Sequence, residues 1–382
     1  MAMQNTGRGT FAFPDPSGSA KPWRFSRRQM FTRSAIAIGS LFTFLFTTAI
    51  IAHADATDDY VRTSMDKDKI PGLALAVIRD NRVIKEQAYG LASIELGVPV
   101  TVDTPFVLAS MTKIFTASAI MLLVQEGKIT LDEPVVKILP QLPAKWADVT
   151  IRHCLAHTSG LPDAMVDDVN IYTITGDRDE LFEMLAKAPV NPVGENVVYN
   201  QTEYVILGMI IEKISGMGYE EFVQSRILKP AHLSHAGFGD AWSIIPWCSD
   251  LYTAVDITKD HTKILERDGR PMMLKDKILR YGSKATPDYL APAATLNGSL
   301  SDLVSWENTL SEGSLLTAPS VKEMTTPFKL NNGKDGDFGL GYLTGSLGPN
   351  AVVAYGGGAA TWCFSIPEKR LTVIVLTNLQ GV

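Results

Sequence analysis

The chain has 382 residues, 46% of them hydrophobic and 20% charged, which is enough for one large domain or two with a sizeable core and too apolar for a disordered segment. A formal net charge of −6, with no basic stripe and no aromatic–basic interleaving, argues against nucleic acid as a partner. The three cysteines, Cys154, Cys248 and Cys363, and the six histidines are spread without ligand spacing, so neither a disulfide framework nor a metal site is expected.

Residues 1–54 differ in character from the rest of the chain. A basic leader ending in Phe-Ser-Arg-Arg-Gln-Met-Phe-Thr-Arg precedes an apolar run from Ala35 to Ala52 and then Ala-His-Ala-Asp-Ala. This order reads as a secretory signal cleaved after Ala54. Ser26-Arg27-Arg28 also fits a twin-arginine signal, and the expected location is periplasmic or secreted, with no stable membrane insertion after cleavage. The alternative is an uncleaved anchor, since about 18 apolar residues just span a bilayer. Removing the six Lys/Arg and one Asp of this segment leaves 29 basic and 40 acidic residues, a net charge of −11.

The remaining residues (55–382) open with a short helix from Asp58 to about Lys69. Two strands come next, Gly72–Arg79 and Arg82–Ala88, joined by the turn residues Asp80-Asn81. Phe106 to Lys128 is an apolar lead-in that becomes a helix from Ser110, closed by Gly127. Between Leu131 and Leu233 the pattern is mostly helical, clearest at Tyr204–Ile214 and Tyr219–Leu228. Asp240–Ala294 is irregular and rich in Trp, Asp and Lys, which at that length suggests a functional loop or cap. A helix over Asp302–Leu310 capped by Ser301 comes after it, then strands at Phe338–Thr344, Ala351–Tyr355, Ala360–Ile366 and Leu371–Thr377. Strands at both ends with helices between predict an α+β fold. In it one antiparallel sheet is built from 55–109 and 300–382, and 110–299 form an inserted, mostly helical domain.

Ser110 and Lys113 stand three apart on the buried helix, so their side chains share one face about 5–6 Å apart at Cβ. The positive end of the helix favours an alkoxide there, and a desolvated Lys beside a Ser is one way to make a hydroxyl nucleophilic. Spacing alone does not single the pair out. Ser64–Lys67 has the same spacing within Ser-Met-Asp-Lys-Asp-Lys, where alternating charge marks a solvated face.

Three further stretches accompany Ser110-Met111-Thr112-Lys113: Leu155-Ala156-His157-Thr158-Ser159-Gly160-Leu161, Val198-Tyr199-Asn200-Gln201-Thr202-Glu203-Tyr204, and Tyr355-Gly356-Gly357-Gly358. In order and spacing these resemble the serine β-lactamase and penicillin-binding-protein superfamily over nearly the whole of residues 58–378. The nearest resemblance is to class C β-lactamases and family VIII carboxylesterases. It implies Ser110 as the acylated nucleophile, with Lys113 as proton acceptor or the group that tunes it. Tyr199 shares the proton transfer. The N–H groups of Ser110 and Gly358 form an oxyanion hole on a strand edge that Gly356 and Gly357 leave open. His157 supports the site from behind. No cofactor and no metal is implied.

Two positions depart from the pattern. Gln201 replaces the Asn of Tyr-x-Asn, and Tyr355 stands where relatives carry the Lys or His that holds a substrate carboxylate. A neutral phenol forfeits about 1.5–3 kcal/mol there, which favours neutral esters over anionic β-lactams. Relatives also continue into a C-terminal helix past the strand Leu371–Asn378. Either the chain is cut short after Gln380-Gly381-Val382 or one sheet face is bare. The expected function is an exported serine hydrolase acting on carboxylic esters. The alternatives are a β-lactamase or D-Ala-type carboxypeptidase, and a non-catalytic cell-wall or β-lactam-binding protein. If the signal is cleaved, N-terminal sequencing of the exported protein should return a chain beginning at Asp55; a full-length chain in the membrane fraction would show an anchor instead.

Overall fold

Gly72–Arg79 (β1) is apolar at nearly every position, a pattern suited to a strand covered on both faces. In the computed structural model, which describes residues 53–164, 178–239, 243–254, 266–267, 270–271, 278–280, 287–358 and 360–380, β1 lies inside a seven-stranded antiparallel sheet. Its partners are Arg82–Ser93 (β2) and Val98–Pro99 (β3) on one side. On the other come Leu343–Leu347 (β7), Asn350–Gly357 (β8), Thr361–Ile366 (β9) and Leu371–Thr377 (β10), in the order β7-β8-β9-β10-β1-β2-β3. β1 pairs with β10 from Leu73↔Thr377 to Arg79↔Leu371, so the sheet joins both ends of the described chain as expected. The β1–β2 turn puts Asp80 and Asn81 at φ 53° and 58°, the left-handed pair that two-residue hairpins prefer.

Alternation along β1 divides the core. Ala74, Ala76 and Ile78 face the larger cluster with the helices, and Leu73, Leu75 and Val77 face a second cluster. Val61 and Met65 of the first helix, His53–Asp68 (α1), join that second cluster together with Phe338, Phe364 and Val373. The face expected to lie bare is therefore buried: Leu75 is 1% exposed and Val373 0%. The expected signal segment lies outside the described residues, apart from His53 and Ala54 at the start of α1.

Thr112–Gln125 (α2) is buried from Thr112 to Leu123 and runs through the larger cluster. Thr202–Ser215 (α3) packs beside it, with Gly208 letting Pro292 approach closely. A Cβ at Gly208 would stand 2.2 Å from the proline Cγ. Pro292 belongs to the short helix Ala291–Ala294 (α4). A small sheet, Phe106–Val107 (β4), Leu296–Gly298 (β6) and Gly237–Phe238 (β5), connects these helices to the lead-in of α2.

Several boundaries differ from the expectation, each for a local reason. The helix expected at 302–310 is Leu300–Glu312 (α5). Its cap is Ser299, whose hydroxyl accepts from the Asp302 N–H at 3.1 Å while the Asp302 carboxylate accepts from the Ser299 N–H at 2.9 Å. Ser301 donates to Asp103 instead. The strand expected from Phe338 begins at Leu343, because the Gly339, Leu340 and Gly341 N–H groups bond to Tyr342, Met324 and Leu155 carbonyls and not to a ladder. The helix expected over 219–228 is α-helical to Val223 and widens to a π turn over Gln224–Leu228. Of the loop expected at 240–294, Tyr252–Thr253 is paired with Leu279–Arg280 and Leu379–Gln380, and the remainder lies partly outside the described residues. The three cysteines are free thiols, with Cys154 and Cys363 buried. Among the described residues there is no cluster of metal ligands, and no helix is long and apolar enough to cross a membrane.

α5 closes the helical side of the sheet: Trp306 packs on Phe115 at a ring separation of 4.8 Å, and Glu307 accepts from the Tyr355 hydroxyl at 2.7 Å and from Cys363 Sγ at 3.7 Å. Burial pushes the Glu307 carboxyl up. A raised folded-state value means that the stabilising contribution is complete below the ordinary carboxyl value of 4.5 and is lost as pH rises through the folded value. Glu307→Gln keeps the acceptor and removes the ionisation. It should raise Tm by at least about 2 °C at about pH 8, with the gain over wild type vanishing towards pH 4.5 in thermal melts across pH.

Candidate active site

Ser110 sits in the 3-10 turn Ala109–Met111 that leads into α2. Ala109 is held at φ 48°, a left-handed conformation that costs a residue with a Cβ about 1 kcal/mol. The Thr112 hydroxyl stabilises it by donating to the Ala109 carbonyl at 2.6 Å and accepting from the Leu296 N–H at 3.1 Å. The Ser110 turn is thus tied to the small β4–β6 sheet, and Ser110 is half-buried.

One helical turn on, Lys113 is only 4% exposed. Its Nζ lies 3.5 Å from Ser110 Oγ and donates to Gln201 Oε1 at 2.6 Å and to the Ala293 carbonyl at 2.9 Å. It also stands 4.8 Å from the Tyr199 ring centre and 5.3 Å from that of Tyr204. All three polar neighbours of Nζ are therefore neutral oxygens. Gln201, at the third position of the Tyr-x-Asn pattern, is thus the amide that reaches the lysine. The preceding Asn200 is committed elsewhere, donating to the Leu161 carbonyl at 2.7 Å and accepting from the Glu203 N–H at 3.3 Å.

The glycine run meets this assembly at the end of β8. A Cβ on Gly357 would lie 2.0 Å from the Leu108 carbonyl oxygen, and one on Gly356 would lie 2.4 Å from the Trp362 ring, while Gly358 faces open space. Only glycine lets the strand approach the nucleophile's turn this closely. Tyr355 does not take the position expected of it at a substrate carboxylate. Its register partner is Cys363, and two residues before Gly357 it falls on the sheet face that α5 covers. There it is 4% exposed and bonded to Glu307.

Behind Tyr199 and Lys113 lies a buried polar group of which the sequence motifs mark only His157. That residue, at φ 57°, has its ring 4.6 Å from Tyr199 and 5.3 Å from Tyr204. Its Nδ1 is 2.5 Å from Glu203 Oε2, and the other Glu203 oxygen accepts from the Ser159 hydroxyl at 2.5 Å. His157 Nε2 has no hydrogen-bond partner among the described residues. Burial lowers the imidazole well below its ordinary value, assisted by the nearby Lys113 charge, and raises the Glu203 carboxyl well above its own. Nothing in the sequence distinguishes Glu203, because an acid in a helix's first turn ordinarily marks a solvated N-terminus. The Ala293 carbonyl carries no residue-type signal at all. Ser64 and Lys67 stay on the outward side of α1.

Residues 57–382 match the beta-lactamase family model. The chain belongs to the beta-lactamase family. It is similar to Penicillin-binding protein 4* of Bacillus subtilis, 28% identical over 325 residues that span 82% of this chain and 69% of that protein. Among solved structures, the octameric penicillin-binding protein homologue from Pyrococcus abyssi superposes with a TM-score of 0.65 at 28% identity, covering 85% of this chain and 73% of the other. EstCE1, described as a hydrolase with promiscuous acyltransferase activity, shares the fold at 20% identity, with a TM-score of 0.64 over 84% of this chain and 91% of the other.

As a serine hydrolase of the beta-lactamase family, the protein needs β8 seated against the turn that carries the serine. Gly357→Ala would force those backbones apart. Because misplacement of a reacting group by about 1 Å costs on the order of a hundredfold, this variant should lose at least that much of the hydrolytic kcat/KM. Measured beside wild type, with circular dichroism to verify the fold, near-normal activity would show that strand and turn do not meet as described.

Proposed function

We propose that this protein is an exported carboxylesterase that works through an acyl-enzyme on Ser110. The observation that carries the reading is the buried Lys113 amine, within 3.5 Å of Ser110 Oγ and otherwise bonded only to neutral oxygens. Ser110 Oγ attacks the ester carbonyl and its proton passes to the Lys113–Tyr199 pair. The N–H groups of Ser110 and Gly358 receive the negative oxygen of the tetrahedral intermediate. Collapse breaks the bond to the alcohol, whose oxygen takes the proton from the same pair. Water then repeats the sequence on the acyl-enzyme and releases the acid.

Position 355 supports esters over β-lactams. The residue there is a phenol turned against Glu307, so no cation is offered to a substrate carboxylate from this point on the strand. A second reading, a β-lactamase or D-Ala-type carboxypeptidase, draws support from the two penicillin-binding relatives at 28% identity. Export is supported by the composition of residues 1–54.

Turnover of p-nitrophenyl butyrate and of nitrocefin separates the two readings. The ester should give the larger kcat/KM, and Ser110→Ala should lower it by about a thousandfold or more. A fluorophosphonate probe should label the peptide that contains Ser110. Faster nitrocefin hydrolysis would replace the esterase reading with the second one, and label on another serine would remove Ser110 as the nucleophile.

A further inference from the structure

The proton acceptor beside Ser110 stands close to a carboxyl group that neither the acyl-enzyme mechanism nor the motifs employ. Glu203 is fully buried in the first turn of α3. Its two oxygens are used completely: one takes the Ser159 hydroxyl at 2.5 Å and the Ser159 N–H at 3.3 Å, the other meets His157 Nδ1 at 2.5 Å. The His157 ring lies against the same two rings, Tyr199 and Tyr204, that Lys113 Nζ approaches. The charged or titratable groups facing Glu203 are His157 on the loop before it, Cys154 on the helix Ile151–Leu155, Asp163, Lys113 on α2, and Tyr204 and Tyr199.

We propose that Glu203 is a positioning residue that works as an uncharged acid: it donates to His157 Nδ1, accepts from Ser159, and so fixes the His157 ring that backs Tyr199 without setting a negative charge beside Lys113. This deepens the acyl-enzyme reading and rests on it. Geometry supports it first. Glu203 is 0% and His157 1% exposed; Oε1 accepts from both the Ser159 hydroxyl and N–H, and Oε2, 2.5 Å from His157 Nδ1, is left to carry the proton that a neutral imidazole nitrogen accepts. A carboxylate in the same place would be a buried anion bonded to Ser159 and His157, a charge that its apolar surroundings penalise. Burial opposes that ionisation, and Asp163 adds repulsion to it.

Two variants test this. Glu203→Gln offers the same donor and acceptor with no ionisation. Glu203→Ala leaves His157 and Ser159 unsatisfied, a loss that corresponds to about tenfold or more in kcat/KM. The experiment measures p-nitrophenyl acetate hydrolysis and fluorophosphonate labelling rate against pH for wild type and both variants. Glu203→Gln should stay within about threefold of wild type at neutral pH where Glu203→Ala does not. It should also lack, or displace upward, the alkaline fall that wild type shows as Glu203 ionises. Infrared spectra of the folded proteins give a readout independent of turnover: wild type should show the carbonyl stretch of a protonated carboxylic acid that Glu203→Gln removes. A Glu203→Gln enzyme as impaired as Glu203→Ala, an unchanged alkaline limb, or no such stretch would overturn the inference. If wild type hydrolyses no ester, the acyl-enzyme reading on esters fails, and the infrared band still decides the state of Glu203.

Discussion

A lysine nitrogen taken out of water must be given hydrogen-bond partners, at a cost of about 1–3 kcal/mol or more if it is not, and much of this structure is explained by how Lys113 meets that demand. Its acceptors come from three places: its own helical turn at Ser110, the start of α3 at Gln201, and the carbonyl of Ala293 in α4. The contact holds only if α2, α3 and α4 pack together. Other parts of the chain secure the same arrangement, including the absence of a side chain at Gly208 opposite Pro292 and the Thr116 hydroxyl donating to the Pro292 carbonyl at 2.6 Å. Core packing and the placing of Lys113 beside Ser110 are therefore one problem here.

The second half of the site is brought in by the sheet. Gly357 reaches the Leu108 carbonyl because nothing projects from it, and β8 is anchored on its inner face by Tyr355, whose hydroxyl is held by Glu307 of α5. Tyr355 is thus used as a strut for the strand that carries the glycine run.

Beneath these two halves lies a buried layer of Glu203, His157 and Ser159, packed against Tyr199, Tyr204 and Phe338. Polar groups so far from water specify one arrangement when fully satisfied and are costly when they are not. The layer fixes the back of the Tyr199 ring, while the open side of the site is bordered by Gly358. A rigid rear wall and a glycine-lined front suit a reaction in which the groups around the developing charge must already be in place.

The amino-acid sequence by itself determined the features that depend on local geometry. Ser110 and Lys113 share a helix face because three residues make nearly one turn, β1 and β10 read as strands from their apolar runs, and the glycine run marks a close backbone approach. The substitution of Gln201 for Asn was also visible, though not that Asn200 would be held by Leu161 and leave Gln201 to reach Lys113. Tertiary structure alone decided which oxygens meet the ammonium, 88 and 180 residues away along the chain, that Tyr355 turns to Glu307, and that Glu203 is buried with His157. Backbone carbonyls have no residue type, and the direction of a side chain depends on the register and packing of the element that carries it. Such contacts arise between segments whose sequences hold no record of each other, and only the folded chain brings them within hydrogen-bonding distance.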